Sequence, residues 1–455
     1  MPGSASRDEG TSAARPAPAL PDAPAPVLPD APSPALTPPP GSPRFPLFDG
    51  LRGIAVLAIL SFHCAEYSGR IGFGPLGRLA EVAGGEAVIV FFVISGFLLY
   101  RPFAAARADG KSRPSTGLYA RRRALRILPA YWIALTMLAI FPGVAGVFTG
   151  DWWRYYGYLQ LYSAHARNGG IQVAWTLCVE VTFYLALPLW AIAIRRLPGA
   201  ATVAGFVRSE LAALALVVLG GGAVQIAVSR GHLPYALGVS LVGQGAWIAL
   251  GMGLAVLSVA GQRRTALIDP VRRIADRSEL CWVLGLVAAA GLAALIPSHG
   301  LFGLIATVEV AQSIPRTVAK LLLEGVLALA FVLPAVFGDQ RRGLARRVLA
   351  WRPFVGLGVI SYSFYLYHLP IVALLAIKHT TAFSATGLNL MAHVHTARTV
   401  VLYALSLAIT TVVATISYRL IELPFLRRKE RQKARLADGP PDERTPTTAR
   451  IIDAS

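Results

Sequence analysis

Arg52 and His63 lie eleven positions apart in one apolar segment, FDGLRGIAVLAILSFHCAEY, and Glu180 lies inside another, VAWTLCVEVTFYLALPLW. Ionisable side chains are costly at membrane depth, so their presence there marks a site that does chemistry or binds an ion. Histidine is the usual side chain for taking a proton from a weak nucleophile such as an alcohol near neutral pH. A carboxylate can hold the imidazole in one tautomer and stabilise its charged form. A guanidinium forks onto phosphate or carboxylate oxygens. Each residue also has a plainer role. His63 can be an interfacial histidine, Glu180 half of a structural ion pair, and Arg52 the helical partner of Asp49, three residues earlier.

Membrane helices must position these groups. The 455 residues are 55% hydrophobic and only 15% charged, with mean hydropathy +0.56, whereas soluble domains carry about 25% charged residues. About ten runs approach the length needed to span a bilayer. They centre on Leu57, Phe92, Leu135, Leu185, Val217, Leu250, Val287, Leu327, Tyr365 and Leu407. The expected fold is all-α, a polytopic transmembrane bundle. The stretch from Leu301 to Gln312 reads as an interfacial or re-entrant piece or an extension of the eighth helix, and DWWRYYGYLQLY as an interfacial aromatic belt.

The net charge of +19 is carried mostly by arginines clustered in every second loop, as with Arg121 and Arg122, Arg195 and Arg196, Arg272 and Arg273, Arg341 and Arg342, and Arg427 and Arg428. Such alternation is the positive-inside pattern and predicts both termini in the cytoplasm. It also removes the nucleic-acid reading of a basic chain, because no basic stripe with interleaved aromatics lies outside the membrane. Scarce lysine and abundant arginine, alanine and glycine fit GC-rich bacterial coding. Residues 1–44 are rich in Pro, Ala and Ser and lack a signal-peptide core; residues 427–455 are charged and polar. Both read as disordered cytoplasmic tails around a membrane domain at 45–426.

Depth follows from direction. His63 is roughly 16 Å beyond Arg52 along the first helix. Glu180 comes early in the inward fourth helix and His368 late in the outward ninth, so His63, Glu180 and His368 are expected in the outer half. Arg52, Arg101, Arg123 and Arg126 are expected at the inner boundary. Tyr362 and Tyr365 share a face with His368 and are candidates to line an acceptor site. Cys64, Cys178 and Cys281 lack CxxC spacing and read as small buried thiols. His393 and His395 alone do not make a metal site. Ser95 and Gly96 read as close helix packing.

These motifs together resemble the acyltransferase 3 family of integral membrane O-acyltransferases. FDGLRGIAVLAILSFH is similar to its Arg-x10-His signature, with Arg52 and His63 in register. FFVISGFLLY resembles its second-helix motif, and YARRRALRILPAYW carries its RxxR as Arg123 and Arg126. AWTLCVEVTFYL places the family's glutamate at Glu180, and GLGVISYSFYLYHLPI and IELPF resemble its late motifs, with His368 and Glu422 in place. Thr176 stands where serine is usual, Val181 and Thr182 replace a polar pair, and Ala87 replaces a glycine. The resemblance runs from Phe48 to about Phe425 without a hydrolase-like extracellular domain, as expected of the membrane module alone.

The resemblance implies a multi-pass enzyme of the bacterial plasma membrane, surrounded by lipid. It would transfer an acyl group, acetyl above all, from cytosolic acyl-CoA to a hydroxyl of a surface glycan, lipid-linked sugar or macrolide-like product. His63 would be the base or a transient acyl carrier, with Glu180 orienting it. Arg52, Arg123 and Arg126 would hold CoA phosphates; for Arg123 and Arg126 the plainer reading is a positive-inside anchor. Acyl-CoA is then a substrate, and no resident cofactor or metal is implied. A small-molecule exporter shares such intramembrane charges, but no internal repeat or broken-helix pair stands out in the sequence. A catalytically silent partner protein is disfavoured by the presence of Arg52, His63 and Glu180 together.

Overall fold

The computed structural model describes residues 45–71, 74–198, 202–263, 266–295, 313–378 and 396–427. The expected tails at 1–44 and 427–455, apart from Arg427, the segment Leu301 to Gln312, and His393 and His395 lie outside them. Among the described residues nine helices are long and apolar enough to cross a membrane, and a sharply bent pair adds a tenth crossing. In chain order the long elements are α1 (Pro46–Tyr67), α2 (Gly74–Ala108), α3 (Thr116–Ile140), α4 (Trp175–Ala193), α5 (Val203–Ser229) and α6 (Leu241–Gln262). They continue with α7 (Ser278–Leu295), α8 (Ile314–Val336), α9 (Arg352–Val359), α10 (Ser361–Lys378) and α11 (Thr396–Ser417). The chain is a polytopic membrane protein, as the runs of apolar residues predict.

Burial separates central from peripheral helices. The apolar windows of α2 and α6 are each 67% buried, whereas that of α5 is 11% and that of the last span 17% buried. Leu216 and Leu219 on α5, and Val412 and Ile416 on α11, are exposed large hydrophobics, which is the composition of a lipid-facing surface. The centre is built by close approach. A Cβ on Gly96 of α2 would overlap the Ile248 carbonyl of α6, and one on Gly251 of α6 would overlap the Val93 carbonyl of α2. Small residues thus let two backbones meet where lipid supplies no hydrophobic drive, and Gly96 serves the packing role its sequence context predicts. Further along α2, Arg107 Nη1 donates to Glu210 Oε1 of α5 at 2.8 Å, and the Tyr100 hydroxyl donates to Glu210 Oε2 at 2.5 Å. Both charges are buried and paired, tying α2 to α5.

The ninth crossing is not a straight helix. α9 and the described part of α10 meet at 81° across Ile360, a broken span that the continuous run of apolar residues did not announce. α9 starts on Trp351-Arg352-Pro353, with proline in the first turn, where its missing N–H costs nothing. It then crosses α1 at contact distance. A Cβ on Gly358 would overlap the Asp49 carbonyl oxygen, and one on Gly53 would overlap the Phe354 carbonyl oxygen. This crossing fixes the start of α10 beside the first helix.

The connection from α3 to α4 also departs from expectation. In DWWRYYGYLQLY, Trp152 and Trp153 are exposed, but Tyr155, Tyr158, Gln160 and Leu161 are buried. The Tyr131 hydroxyl of α3 donates to the Tyr155 carbonyl at 3.0 Å, and the Tyr131 and Tyr158 rings stack at 4.3 Å. Only part of this segment is an aromatic belt; the rest folds inward over α3 and α4. At the opposite, arginine-rich end, Arg263 hydrogen-bonds Asp109 and Lys111 lies 3.4 Å from it. These cations hold the Asp109 carboxyl below the usual carboxylate range.

Candidate active site

Five helices enclose a cavity of about 110 Å3 lined by all three arginines expected to bind an anion, Arg52 of α1 and Arg123 and Arg126 of α3. Glu180 and Tyr184 of α4, and Ser361, Tyr362 and Tyr365 of α10, complete its polar wall. The charges are not cancelled. Arg52 Nη1 is 3.1 Å from Asp49 Oδ1, the helical pair their spacing predicts. Glu180 is held by hydroxyls: Ser95 donates to Oε1 at 2.7 Å and Tyr184 to Oε2 at 2.7 Å. Among the described residues neither Arg123 nor Arg126 forms an ion pair within 4 Å. Arg123 lies 6.0 Å from the centroid of Tyr119, and its Nε is buried without a hydrogen-bond partner. A cavity with three guanidiniums and one carboxylate on its wall suits an anion with several oxygens.

The break before Ser361 adds to this. It brings the N-terminus of α10 to the cavity wall, and a helix N-terminus favours negative charge. Glu422, in a π-helical turn at Tyr418–Glu422, already uses part of that end by accepting a hydrogen bond from the Ser363 hydroxyl. The π turn aims Glu422 back at α10, consistent with π turns clustering at functional sites.

Tyr365 links the cavity to the histidines. Its hydroxyl donates to the Val173 carbonyl at 2.7 Å and lies 2.9 Å from the Thr176 hydroxyl. Thr176 therefore keeps the hydroxyl that this position needs. On its other side, the Tyr365 ring is 5.5 Å from His368, and the His368 ring is 5.3 Å from His63. Tyr362 turns elsewhere and donates to the Ile127 carbonyl at 2.8 Å. His63 and His368 thus come together, as their depths predict, separated from the arginines by one aromatic side chain.

The pairing of His63 with Glu180 is not what the structure has. His63 Nδ1 is 2.8 Å from Glu66 Oε2, one turn further along α1, while Glu180 faces the arginines. Two features account for this. The inward-folding loop before α4 buries Val173 and Ala174, so α4 starts beneath other protein. The long side chains of Arg52, Arg123 and Arg126 line the same cavity as Glu180. Arg101, grouped with them by depth, is elsewhere: its Nε is 3.3 Å from Ser258 Oγ and its guanidinium 5.4 Å from the Phe45 ring. Glu66, Ser95 and Tyr184 are the polar partners the sequence reading missed. Helical spacing offered a signal for two of them, Glu66 at i+3 from His63 and Tyr184 at i+4 from Glu180.

The acyltransferase domain profile matches residues 46–419. The chain belongs to this acyltransferase family. It is similar to YrhL of Bacillus subtilis (strain 168), named provisionally as a peptidoglycan O-acetyltransferase, 22% identical over 84% of this chain and 54% of YrhL. The peptidoglycan O-acetyltransferase OatA of Listeria monocytogenes is 23% identical over 32% of this chain and 24% of OatA. The acyltransferase MdmB of Streptomyces mycarofaciens is 28% identical over 35% of this chain and 42% of MdmB. The chain thus spans about half the length, or less, of these curated relatives. No solved structure matches it. The acyltransferase family match covers α1 through α11, so the arginine cavity and the histidine pair both lie within it.

Proposed function

We propose that this membrane acyltransferase moves an acyl group, acetyl in the simplest case, from acyl-CoA to a hydroxyl of a carbohydrate or natural-product acceptor at the bacterial plasma membrane. The observation that carries the reading is the arginine-lined cavity meeting the His63–His368 pair through Tyr365. Arg123 and Arg126 would take phosphate oxygens of the donor as forked hydrogen-bond donors, with Arg52 held by Asp49. The thioester end would extend past Tyr365 towards His63. His63 Nε2 then removes the proton from the acceptor hydroxyl, and the oxygen attacks the thioester carbonyl. The C–S bond breaks, a C–O ester bond remains, and the imidazolium returns its proton to the departing thiolate. Acyl-CoA and alcohol give ester and free thiol, with no other reactant. Glu66 stabilises the imidazolium while it exists, as the acid of a triad does. The names of YrhL and OatA support a glycan acceptor, and MdmB keeps the wider acyltransferase range open.

The broken crossing at Ile360 favours a second reading. Discontinuous helices beside ionisable groups are a feature of transporters, and α9 and α10 bend by 81° beside the arginines. One assay separates the two. Purified protein should release CoA from acetyl-CoA in a hydroxyl-dependent manner, and His63→Ala should lower this roughly 100-fold or more. Hydroxyl-independent CoA release, or unaltered turnover in His63→Ala, would reject the proposed chemistry.

A further inference from the structure

The tautomers of the two neighbouring histidines follow from their partners. Carboxylate and backbone carbonyl oxygens accept hydrogen bonds and cannot donate them. His63 Nδ1 therefore carries the hydrogen in its 2.8 Å contact with Glu66 Oε2. His368 Nδ1 carries it in the 2.7 Å contact with the Tyr365 carbonyl oxygen. Each ring, when neutral, has its lone pair on Nε2. For His368 that nitrogen is buried in a residue only 1% exposed, and among the described residues it has no hydrogen-bond partner. The hydroxyl of the adjacent Tyr365 is committed to Val173 and Thr176. A buried acceptor left unmet is unfavourable and calls for a partner from outside the described residues.

We infer that His368 Nε2 receives a hydrogen bond from the acceptor, through a second donor next to the hydroxyl that His63 activates. The inference rests on the proposed base role of His63 and deepens it by naming a substrate class. The two rings are 5.3 Å apart between centroids, close enough for one small polyhydroxyl unit to reach both. One hydroxyl hydrogen cannot serve two lone pairs. An isolated alcohol therefore satisfies one histidine and leaves the other bare, whereas a vicinal diol or a 1,2-amino alcohol satisfies both. His368 takes no proton and forms no bond to the acyl group. It is a positioning residue that selects the acceptor and sets its orientation.

The test compares acceptors in one preparation. Purified protein is assayed for CoA release from acetyl-CoA with 1,2-propanediol or 2-aminoethanol, and with 1-propanol. Wild type should favour the two-donor acceptors by about tenfold or more in kcat/KM, because the mono-alcohol leaves a buried acceptor unpaired. His368→Asn keeps an N–H for the Tyr365 carbonyl and deletes Nε2. It should abolish the preference, chiefly by raising KM for the diol. His368→Gln, which returns a polar group near the Nε2 position, should restore part of it. The preference is a ratio of two rates on the same protein, so partial misfolding cancels. CoA release with equal kcat/KM for diol and propanol in wild type overturns the inference alone. So does an unaltered diol preference in His368→Asn. Absence of CoA release with every acceptor overturns the transferase reading and this inference with it.

Discussion

Glu66 Oε2 lies 2.8 Å from His63 Nδ1, on the same face of α1 one turn on. The contact fixes the proton on Nδ1 and leaves Nε2 as the lone pair that can act as a base. Glu66→Gln keeps the size of the side chain and removes its charge, so the imidazolium formed during transfer loses its stabilising partner. Turnover should fall by an order of magnitude or more with donor affinity little altered, and the pH dependence of kcat should change shape. Glu180→Gln should behave differently, because Glu180 sits among Arg52, Arg123 and Arg126: its main effect should be on donor binding. Steady-state kinetics on the two variants check the assignment. A Glu66→Gln enzyme with normal kcat would return the orienting role to Glu180.

Arg123 and Arg126 should bind the donor through charge. Among the described residues neither is spent on a carboxylate within 4 Å, so each is available to a phosphate. Arg123→Ala and Arg126→Ala should each weaken acetyl-CoA binding by roughly tenfold to a hundredfold. Wild-type affinity should decline with ionic strength more steeply than that of either variant, since fewer charges remain to be screened. Calorimetric titration at two salt concentrations measures both effects. Unchanged affinity in both variants would leave these arginines as topological anchors.

Orientation is testable with single cysteines. The alternating arginine-rich loops predict cytoplasmic termini, so Ser112 and Gln262 should lie inside and Asn168 outside. All three are exposed, while the native Cys64, Cys178 and Cys281 are buried free thiols that give little background. A membrane-impermeant maleimide applied to intact cells should label Asn168→Cys and spare Ser112→Cys and Gln262→Cys until the cells are opened. The reverse pattern would invert the protein and put the arginine cavity nearer the other side.

The sequence announced the membrane bundle because hydropathy and loop charge depend on composition alone. It also brought Arg52, Arg123 and Arg126 to one place, and His63 to His368, because position along a helix gives depth. It failed on partners: His63 pairs with Glu66 on its own helix and Glu180 with the Ser95 and Tyr184 hydroxyls, choices that depth along a helix does not specify. The break at Ile360 is hidden in the sequence because α9 and α10 are both apolar, while the close approach of α9 to α1 at Gly358 and Gly53 is a tertiary contact. Ser95 read as packing, as its neighbour Gly96 does, yet its hydroxyl holds Glu180.

The crossing of α9 over α1 should couple the fold to the site. Gly358 faces the Asp49 carbonyl oxygen so closely that a Cβ would overlap it. Asp49 is the residue that pairs with Arg52 at 3.1 Å, and the end of α9 sets where Ser361 and Tyr362 meet the cavity. Gly358→Ala must push α9 away from α1, because the obstacle is backbone and cannot rotate aside. The cost should be about 1–3 kcal/mol, the usual range for overpacking. It should appear as a lower thermal midpoint in detergent together with weaker acetyl-CoA binding. Gly356 is the control: it lies on the same short helix, and a Cβ there meets nothing within 4 Å. Gly356→Ala should leave both measurements at or slightly above wild type, since alanine has the higher helix propensity. Equal behaviour of the two variants would mean that α9 does not seat the cavity against α1.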